Sequence, residues 1–228
     1  DEFANEQSGS LIIATTHTQA RYALPQVIRS FVGKYPEVKL GIKQGSPLQI
    51  CELVVAGEAD LAIATEGIER FSELAMLPCY DWNRSIVVPA GHPLLALDRA
   101  VTLADIGRYP IITYDFAFTG RSRINRAFEE AGIEPNVVLT AIDTDVIKTY
   151  VGIGLGIGII ASMAFEPKRD TSLRAIDASH LFDAATTRIG IRKNAYLRRF
   201  VFDFIELFAP HLQREQVQRA MGRSEEDI

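Results

Sequence analysis

Apolar residues form two kinds of pattern that alternate along the chain. In one they are continuous or stand at every second position, and in the other they recur every three to four residues. Short apolar runs predict buried strands, and recurrences at three- and four-residue spacing predict amphipathic helices. This alternation favours an α/β fold built on parallel sheets. The strands are predicted over residues 11–15, 38–45, 60–66, 74–82, 85–90, 110–115, 136–143, 156–161 and 186–194. The helices are predicted over residues 18–34, 46–57, 119–132, 143–155 and 196–208.

Local signals refine several of these helices. Pro25 predicts an irregular turn early in the first helix, because proline lacks an amide hydrogen. Ser46 and Pro47 mark the start of the second. The closing residues 214–228 look like a charged tail with little to bury. Two groups of side chains are expected to pack inward, namely Val146, Ile147, Tyr150, Val151 and Leu155 in one helix and Tyr196, Phe200, Phe204 and Phe208 in another.

A glycine run, GIGLGIGII, covers residues 152–160. Its glycines recur at every second position and fit no G-x-G-x-x-G register. The run also leaves a helix to enter a strand, which is the reverse of a dinucleotide-binding loop. We therefore expect a structural role, in which glycine ends the helix in the left-handed conformation and lets the next strand pack closely.

Composition limits the size and the partners of the protein. The chain has 228 residues, 47% of them apolar and 23% charged, which suits one globular domain or two small lobes. Residues 82–182 carry their own strands and helices, so two lobes with a ligand cleft between them are expected. A net charge of -5 argues against a nucleic-acid footprint on this chain. Without an apolar run of about 18 residues, a soluble, cytoplasmic protein with no membrane partner is expected.

The residues typical of metal sites and disulfides are few and scattered. Cys51 and Cys79 form no disulfide framework and are expected to be buried thiols. No histidine stands at metal-ligand spacing from another histidine or from a cysteine, so we expect no metal. The four histidines are His17, His92, His180 and His211.

Catalytic signatures are also weak. The chain has no G-x-S-x-G nucleophile elbow. Thr16, His17 and Thr18 put hydroxyls beside an imidazole, but adjacent residues at a strand end usually point apart. Asp143 and Asp145 flank a helix start, where capping is the commoner role. We expect no catalytic residues and no enzyme activity.

Neutral hydrogen-bonding side chains collect where strands give way to helices. Thr16, Thr18 and Gln19 stand at the first junction, Thr65 ends the third strand, and Thr119 begins a central helix. Ligands of open parallel sheets gather at the carboxyl ends of strands, where helix N-termini favour anions. Each threonine could instead cap its helix, worth about 1 kcal/mol. Several such junctions together favour a cleft for a small oxyanion or a carboxylate.

Several long motifs carry a family resemblance. They are IATTHTQARYALP (13–25), MLPCYDWNRSIVVPAGHPL (76–94), TYDFAFTGRS (113–122) and DTDVIKTYVGIGLGIGIIASMA (143–164). Together they resemble the LysR-type transcriptional regulators of the CysB/Cbl branch, which govern sulfur assimilation and cysteine biosynthesis in bacteria. The resemblance covers about residues 9–212.

The resemblance implies a fold and an assembly. The fold is a two-lobed, periplasmic-binding-protein-like (type 2) effector-binding domain. Its first lobe would hold residues 9–80 and 183–228, and its second lobe residues 81–182. The family's DNA-binding head, absent from this chain, would supply the contact with DNA. The domain would form a homo-oligomer, a dimer or a tetramer, through the first helix and the helix near residues 120–132.

The resemblance also implies a ligand and its contacts. The effector would be an acetylserine, sulfate or adenosine phosphosulfate, and no cofactor is expected. The anion-site positions of the family fall on Thr16, Thr18, Gln19, Thr65 and Thr119, with Trp82 at the cleft wall. Asp115 is a departure that would disfavour a dianion if it faced the cleft. A free-standing solute-binding protein of the same fold is the alternative.

Overall fold

The computed structural model describes residues 7–65, 70–116 and 121–222. The chain divides into two units, one formed by Asp1–Tyr80 with Thr186–Ile228 and the other by Asp81–Ala185. Within the described ranges, no helix combines the length and the apolar character needed to cross a membrane.

The described residues form ten strands and seven α-helices. The strands are β1 Gly9–Thr15, β2 Val38–Gln44, β3 Leu61–Ala64, β4 Leu74–Trp82, β5 Arg84–Pro89, β6 Ile111–Tyr114, β7 Val137–Ala141, β8 Ile157–Ala161, β9 Leu173–Asp177 and β10 Ala185–Arg192. The helices are α1 Leu24–Lys34, α2 Pro47–Val55, α3 Leu103–Ile106, α4 Arg121–Glu130, α5 Thr144–Gly152, α6 Arg199–Phe208 and α7 Arg214–Ala220. A π-helical turn, Gln19–Ala23, precedes α1, and short 3-10 turns cover Pro93–Ala96 and Ser162–Ala164.

Each unit contains a five-stranded mixed sheet. The first sheet has the order β2-β1-β3-β10-β4, with β1 parallel to β2 and β3, and β10 antiparallel to β3. The second has the order β7-β6-β8-β5-β9, with β6 parallel to β7 and β8, and β5 antiparallel to β8 and β9. The prediction of parallel sheets is wrong for β5 and β10, and β9 was not predicted as a strand. The strand–helix alternation constrains only consecutive strands joined by one helix, whereas several other elements separate β5 from β8 and β3 from β10.

Aromatic side chains between α1 and α6 form the centre of the first core. Phe31 packs edge-on against Phe204 with ring centroids 5.6 Å apart, and against Phe200 at 6.4 Å. The predicted apolar face of the last strong helix is therefore confirmed for Phe200, Phe204 and Phe208, which are buried. It is wrong for Tyr196, which is 78% exposed, because α6 begins only at Arg199.

The closing segment is a helix as far as the structure describes it. α7 buries Val217, and Met221 just after it is buried as well, both in the core of the first unit. The prediction of a tail with little to bury is therefore wrong for residues 214–222. The two apolar side chains stand four residues apart and so share one helix face. Two apolar positions among charged and polar residues are too few to predict an amphipathic helix.

Helix α5 covers one face of the second sheet with a narrow stripe. Ile147 and Val151 are fully buried, as predicted. The prediction is wrong for Val146, Tyr150 and Leu155, which are 40%, 38% and 41% exposed. A single helix buries one stripe at four-residue spacing, and Val146 and Tyr150 each lie one position before that stripe, about 100° around the helix axis.

The expected irregular start of the first helix is confirmed. The π-helical turn Gln19–Ala23 occupies its first residues, and Pro25 lies in the opening turn of α1. The Ser46 start signal is also confirmed. The Ser46 hydroxyl accepts from the Gln49 amide at 3.3 Å, and the Gln49 side chain accepts from the Ser46 amide at 2.9 Å.

The structural interpretation of the glycine run is confirmed. Gly154 has φ +83°, and its amide donates to the Val151 carbonyl at 3.0 Å, which closes the end of α5. A Cβ at Gly156 would overlap the Pro110 carbonyl, so only glycine permits this approach of β8.

A charged group connects α1 to α6. The Asp203 carboxylate accepts a hydrogen bond from the Tyr35 hydroxyl at 2.5 Å and another from Lys34. Burial raises the pKa of Asp203, but these two hydrogen bonds and the charges of Lys34 and Arg199 outweigh it, so the pKa lies below its ordinary value.

We expect Gly154→Val to lower the free energy of unfolding by about 1–2 kcal/mol, because a side chain is strained at a positive φ. Urea denaturation measures this value. Gly152→Val is the matched control, since that glycine also has open space around it but lacks a positive φ. A Gly154→Val chain of wild-type stability that had lost ligand affinity would show that the glycine serves binding rather than folding.

We expect Asp203→Asn to lower the free energy of unfolding at pH 7 by about 1–2 kcal/mol, because a charged acceptor is lost. A carboxyl whose folded pKa is depressed stabilises the fold above its ordinary pKa of about 3.9 and loses that effect as the pH falls through the folded value. The difference between the two proteins should therefore shrink below about pH 4. Urea denaturation of both proteins across this pH range measures the difference, with Glu206→Gln at an exposed position of α6 as the control. A difference that stayed constant with pH would contradict the assignment.

Candidate functional site

In the first unit, two of the predicted residues lie where neighbouring strands of the sheet end, at their carboxyl ends. β1 and β3 are parallel neighbours, with Thr15 opposite Ile63. Thr16 and Thr65 follow these strands directly and are 5% and 4% exposed. The pairing of β1 with β3 therefore brings the first two hydroxyl-rich junctions together.

The chain turns into a helix immediately after Thr16. Thr18 occupies the N-cap position of the π-helical turn, but its backbone is already helical and its side chain makes no capping hydrogen bond. The Thr16 carbonyl accepts from the Ala20 amide at 3.1 Å. Thr18 therefore does not cap this turn.

Gln19 is buried, 1% exposed, and both ends of its amide are engaged. Its Nε2 donates to the Thr187 hydroxyl at 3.2 Å, and its Oε1 accepts from the Tyr80 hydroxyl. The Tyr80 hydroxyl also interacts with the Thr187 side chain. These contacts fix the orientation of the amide and leave the second Nε2 hydrogen as its remaining donor.

Tyr80 is held in its neutral form. Burial raises the pKa of its hydroxyl, and the hydrogen bonds with Thr187 and Gln19 offset part of that rise. Its ring packs against Phe208 with centroids 5.8 Å apart. Tyr80 is therefore a protonated donor to Gln19 throughout the neutral pH range.

Trp82 ends β4 in the second unit and is buried, 8% exposed. The Arg84 guanidinium lies 5.0 Å from the centroid of its ring. Arg84 is itself fully buried, and its Nη1 donates to the Asp183 carbonyl at 3.2 Å. A cation–π contact away from water therefore fixes the indole.

The third predicted junction is described only in part. Thr119 lies outside the described residues. Arg121, at the start of α4, is buried and donates from Nη1 to the Tyr114 carbonyl at 3.0 Å and from Nε to Asn125 at 2.8 Å. Burial lowers the pKa of Arg121, while the charge of Asp115 opposes that change. Asp115, the departure noted in the sequence, is thus electrostatically coupled to an arginine.

Two further hydroxyls connect the strand ends of the second unit. Tyr114, at the end of β6, shares a hydrogen bond of 2.7 Å with Thr144 at the start of α5. The Tyr114 oxygen also accepts from the Ala161 amide at 3.1 Å, at the end of β8. The expected capping role of Asp143 is confirmed, because its Oδ1 accepts from the Asp145 amide at 2.7 Å and from the Val146 amide at 3.2 Å.

Sequence reasoning missed the buried and half-buried polar residues that support these junctions. Tyr80 and Thr187 lie far from Gln19 in the chain, so no local spacing connects them. A signal existed for Arg84 and Arg121, since each lies two residues after a predicted contact, Trp82 or Thr119. The sequence interpretation considered only neutral side chains at these junctions and so overlooked both arginines.

The two cysteines are buried, as expected. Burial raises the pKa of the Cys79 thiol to about 12, although the Ile189 backbone and the charge of Arg188 oppose the rise. Cys79 is therefore a protonated thiol at neutral pH and a poor nucleophile.

Comparisons with known proteins agree with this fold. The family model described as the LysR substrate binding domain matches residues 4–213. The chain is 55% identical over 216 residues to the HTH-type transcriptional regulator SsuR of Burkholderia cenocepacia, covering 95% of this chain and 70% of SsuR. It is 51% identical over 220 residues to the regulator CysB of Haemophilus influenzae, covering 96% of this chain and 68% of CysB.

A solved structure gives the same result. The crystal structure of the cofactor-binding domain of the Cbl transcriptional regulator superposes with a TM-score of 0.90 at 43% identity and covers 95% of both chains. The expected two-lobed effector-binding fold is therefore confirmed as a class. These relatives are named as transcriptional regulators, which agrees with the expectation that the chain is not an enzyme. The chain belongs to the LysR substrate-binding domain family, as the effector-binding domain of a LysR-type transcriptional regulator.

Proposed function

We propose that the chain senses a small anionic metabolite of sulfur assimilation, and that Thr16, Thr18, Gln19, Thr65, Trp82 and Thr119 contact it. The observation that carries this proposal is that Thr16 and Thr65 follow two paired parallel strands, at the point where a helix that contains Thr18 begins. Hydroxyls and backbone N–H groups at a helix N-terminus are donors suited to an oxyanion. Their neutrality also suits a ligand that must leave again.

The assignment of this chain to sulfur metabolism rests on its similarity to known regulators. The motifs around these positions resemble the CysB/Cbl branch, and relatives named CysB and SsuR are more than half identical to this chain. Acetylserines, sulfate and adenosine phosphosulfate are the candidate effectors. Each carries a carboxylate, sulfate or phosphosulfate oxyanion that such donors could bind.

The proposal extends to gene regulation in the cytoplasm. A ligand can shift a regulator only through unequal affinity for two of its states. The effector would therefore bind one arrangement of the oligomer more tightly and so bias DNA binding by a head outside this chain. The alternative, a free-standing solute-binding protein, agrees less well with relatives that are named transcriptional regulators.

Calorimetry identifies the ligand. The chain is titrated with O-acetylserine, N-acetylserine, sulfate, thiosulfate and adenosine phosphosulfate. Saturable heat with at least one of them supports the proposal, and the strongest binder names the effector. No saturable heat with any of the five would overturn it. Release of acetate from an acetylserine would instead support an enzyme.

Edge strands support the proposed homo-oligomer. β2 and β7 are edge strands of their sheets, so the backbone N–H and C=O groups on their outer sides can pair with another chain. Both edges carry exposed apolar side chains, namely Ile42 on β2 and Val138 on β7, each 43% exposed. Val32 on the neighbouring helix α1 is 44% exposed. We propose that these edges, with α1 and α4, form the contact between copies.

We expect Thr16→Val with Thr18→Val to abolish the rise in melting temperature that the effector causes, because two donors are lost. The melting temperature without ligand should change little. Thr149→Val, at an exposed hydroxyl of α5, is the control. A ligand-induced rise equal to that of the wild-type chain would move the site elsewhere.

We expect Ile42→Lys to shift the chain from oligomer towards monomer, because a charge replaces an apolar contact at the strand edge. Sedimentation velocity measures the species present. Leu48→Lys is the matched control, since Leu48 is 49% exposed on α2 but lies off the strand edges. Unchanged sedimentation of Ile42→Lys would exclude β2 from the contact.

A further inference from the structure

A closed group of three side chains joins the predicted anion junction to two distant strands. It consists of Gln19, Tyr80 and Thr187, and it is called the Gln19 triad below. Gln19 lies in the first turn of the helix after β1, Tyr80 lies near the end of β4, and Thr187 lies near the start of β10. All three belong to the first unit.

The positions of Tyr80 and Thr187 in the chain are distinctive. The chain leaves the first unit directly after Tyr80 and returns to it at Thr186. β4 and β10 are therefore the connecting strands of the molecule. The Gln19 amide is hydrogen-bonded to both of them, through Oε1 to Tyr80 and through Nε2 to Thr187.

The register of the sheet places Thr187 at the junction itself. β10 is antiparallel to β3, with Arg188 opposite Ala64, so Thr187 falls opposite Thr65 at the next position. Gln19 and Thr187 are 1% and 0% exposed. A hydrogen bond between buried neutral groups is costly to break without a replacement, so these contacts are strongly held.

We propose that Tyr80 and Thr187 are positioning residues that aim the Gln19 amide, and that through them anion binding is coupled to the connecting strands. This inference rests on the proposed function, since it takes Gln19 as a ligand contact. An amide can present either oxygen or nitrogen to a ligand. With Oε1 held by Tyr80 and one Nε2 hydrogen held by Thr187, only a donor remains for an anion.

The coupling follows from the same geometry. An anion that accepts the remaining Nε2 hydrogen holds the amide in place and increases the negative charge on Oε1, which strengthens the hydrogen bond from Tyr80. The two hydrogen bonds of this amide end on β4 and β10, where the two units are covalently joined. Anion binding at Gln19 therefore restrains Tyr80 and Thr187 on the connecting strands without any contact between the ligand and these two residues.

A double-mutant cycle in sulfate binding tests the positioning role. Sulfate is the probe, and calorimetry on the whole 228-residue chain gives the dissociation constant. We expect Tyr80→Phe and Thr187→Val each to weaken binding by about 3- to 10-fold. In a Gln19→Ala background neither change should weaken it further, because each acts through the same amide. Thr187→Ser keeps the hydroxyl and should restore affinity.

Tyr35→Phe is the matched control for loss of a hydroxyl. Its hydroxyl is also hydrogen-bonded within the first unit, but to Asp203 between α1 and α6. It should lower stability while leaving the sulfate dissociation constant unchanged. An equal loss of affinity in Tyr35→Phe would mean that weaker folding, and not the Gln19 triad, explains the effect.

Hydrogen exchange tests the coupling. At saturating sulfate, amide exchange in residues 77–80 and 187–190 should slow in the wild-type chain. In Tyr80→Phe, saturated with sulfate, the slowing in residues 77–80 should be lost. Full additivity in the cycle, or equal slowing in Tyr80→Phe and wild type, would overturn the inference while wild-type sulfate binding left the proposed function standing. No binding of any tested anion by the wild-type chain would overturn both.

Discussion

The parallel pairing of β1 with β3 is the constraint on which the candidate site depends. It aligns the ends of two strands that lie almost fifty residues apart in the chain, so Thr16 and Thr65 meet at one edge. The same register brings Thr187 opposite Thr65 from the antiparallel strand β10. No single segment supplies the donors; the sheet assembles them from three strands, and a slip of one residue in any of them would turn its side chains to the other face.

Buried polar groups give this edge its order. The buried Gln19 amide and Thr187 hydroxyl and the half-buried Tyr80 hydroxyl satisfy one another, so each has one favoured orientation. In the second unit, Tyr114 joins the ends of two strands to the start of α5 in a similar way. Both units thus use a tyrosine hydroxyl to hold a strand-to-helix junction.

Sequence patterns predicted the elements better than their pairing. β4 was predicted with its observed bounds, and the glycine run was assigned correctly because a positive φ and a close backbone approach have local signals. The strand direction of β5 and β10 could not be predicted, since it depends on neighbours far away in the chain. The partners of Gln19 were missed for the same reason. Exposed Val146 shows the further limit, because apolar spacing alone does not say how wide the buried stripe of a helix is.

The burial of Cys79 and Cys51 determines whether redox conditions can modify this domain covalently. With a pKa raised to about 12, this thiol offers almost no thiolate at neutral pH, and Cys51 is fully buried. Thiol–disulfide exchange requires a thiolate that can reach its partner, so neither cysteine reacts readily with surrounding thiols or oxidants. Neither thiol therefore records past redox conditions as a disulfide. This leaves reversible, non-covalent binding as the way in which a domain of this kind would respond to its surroundings.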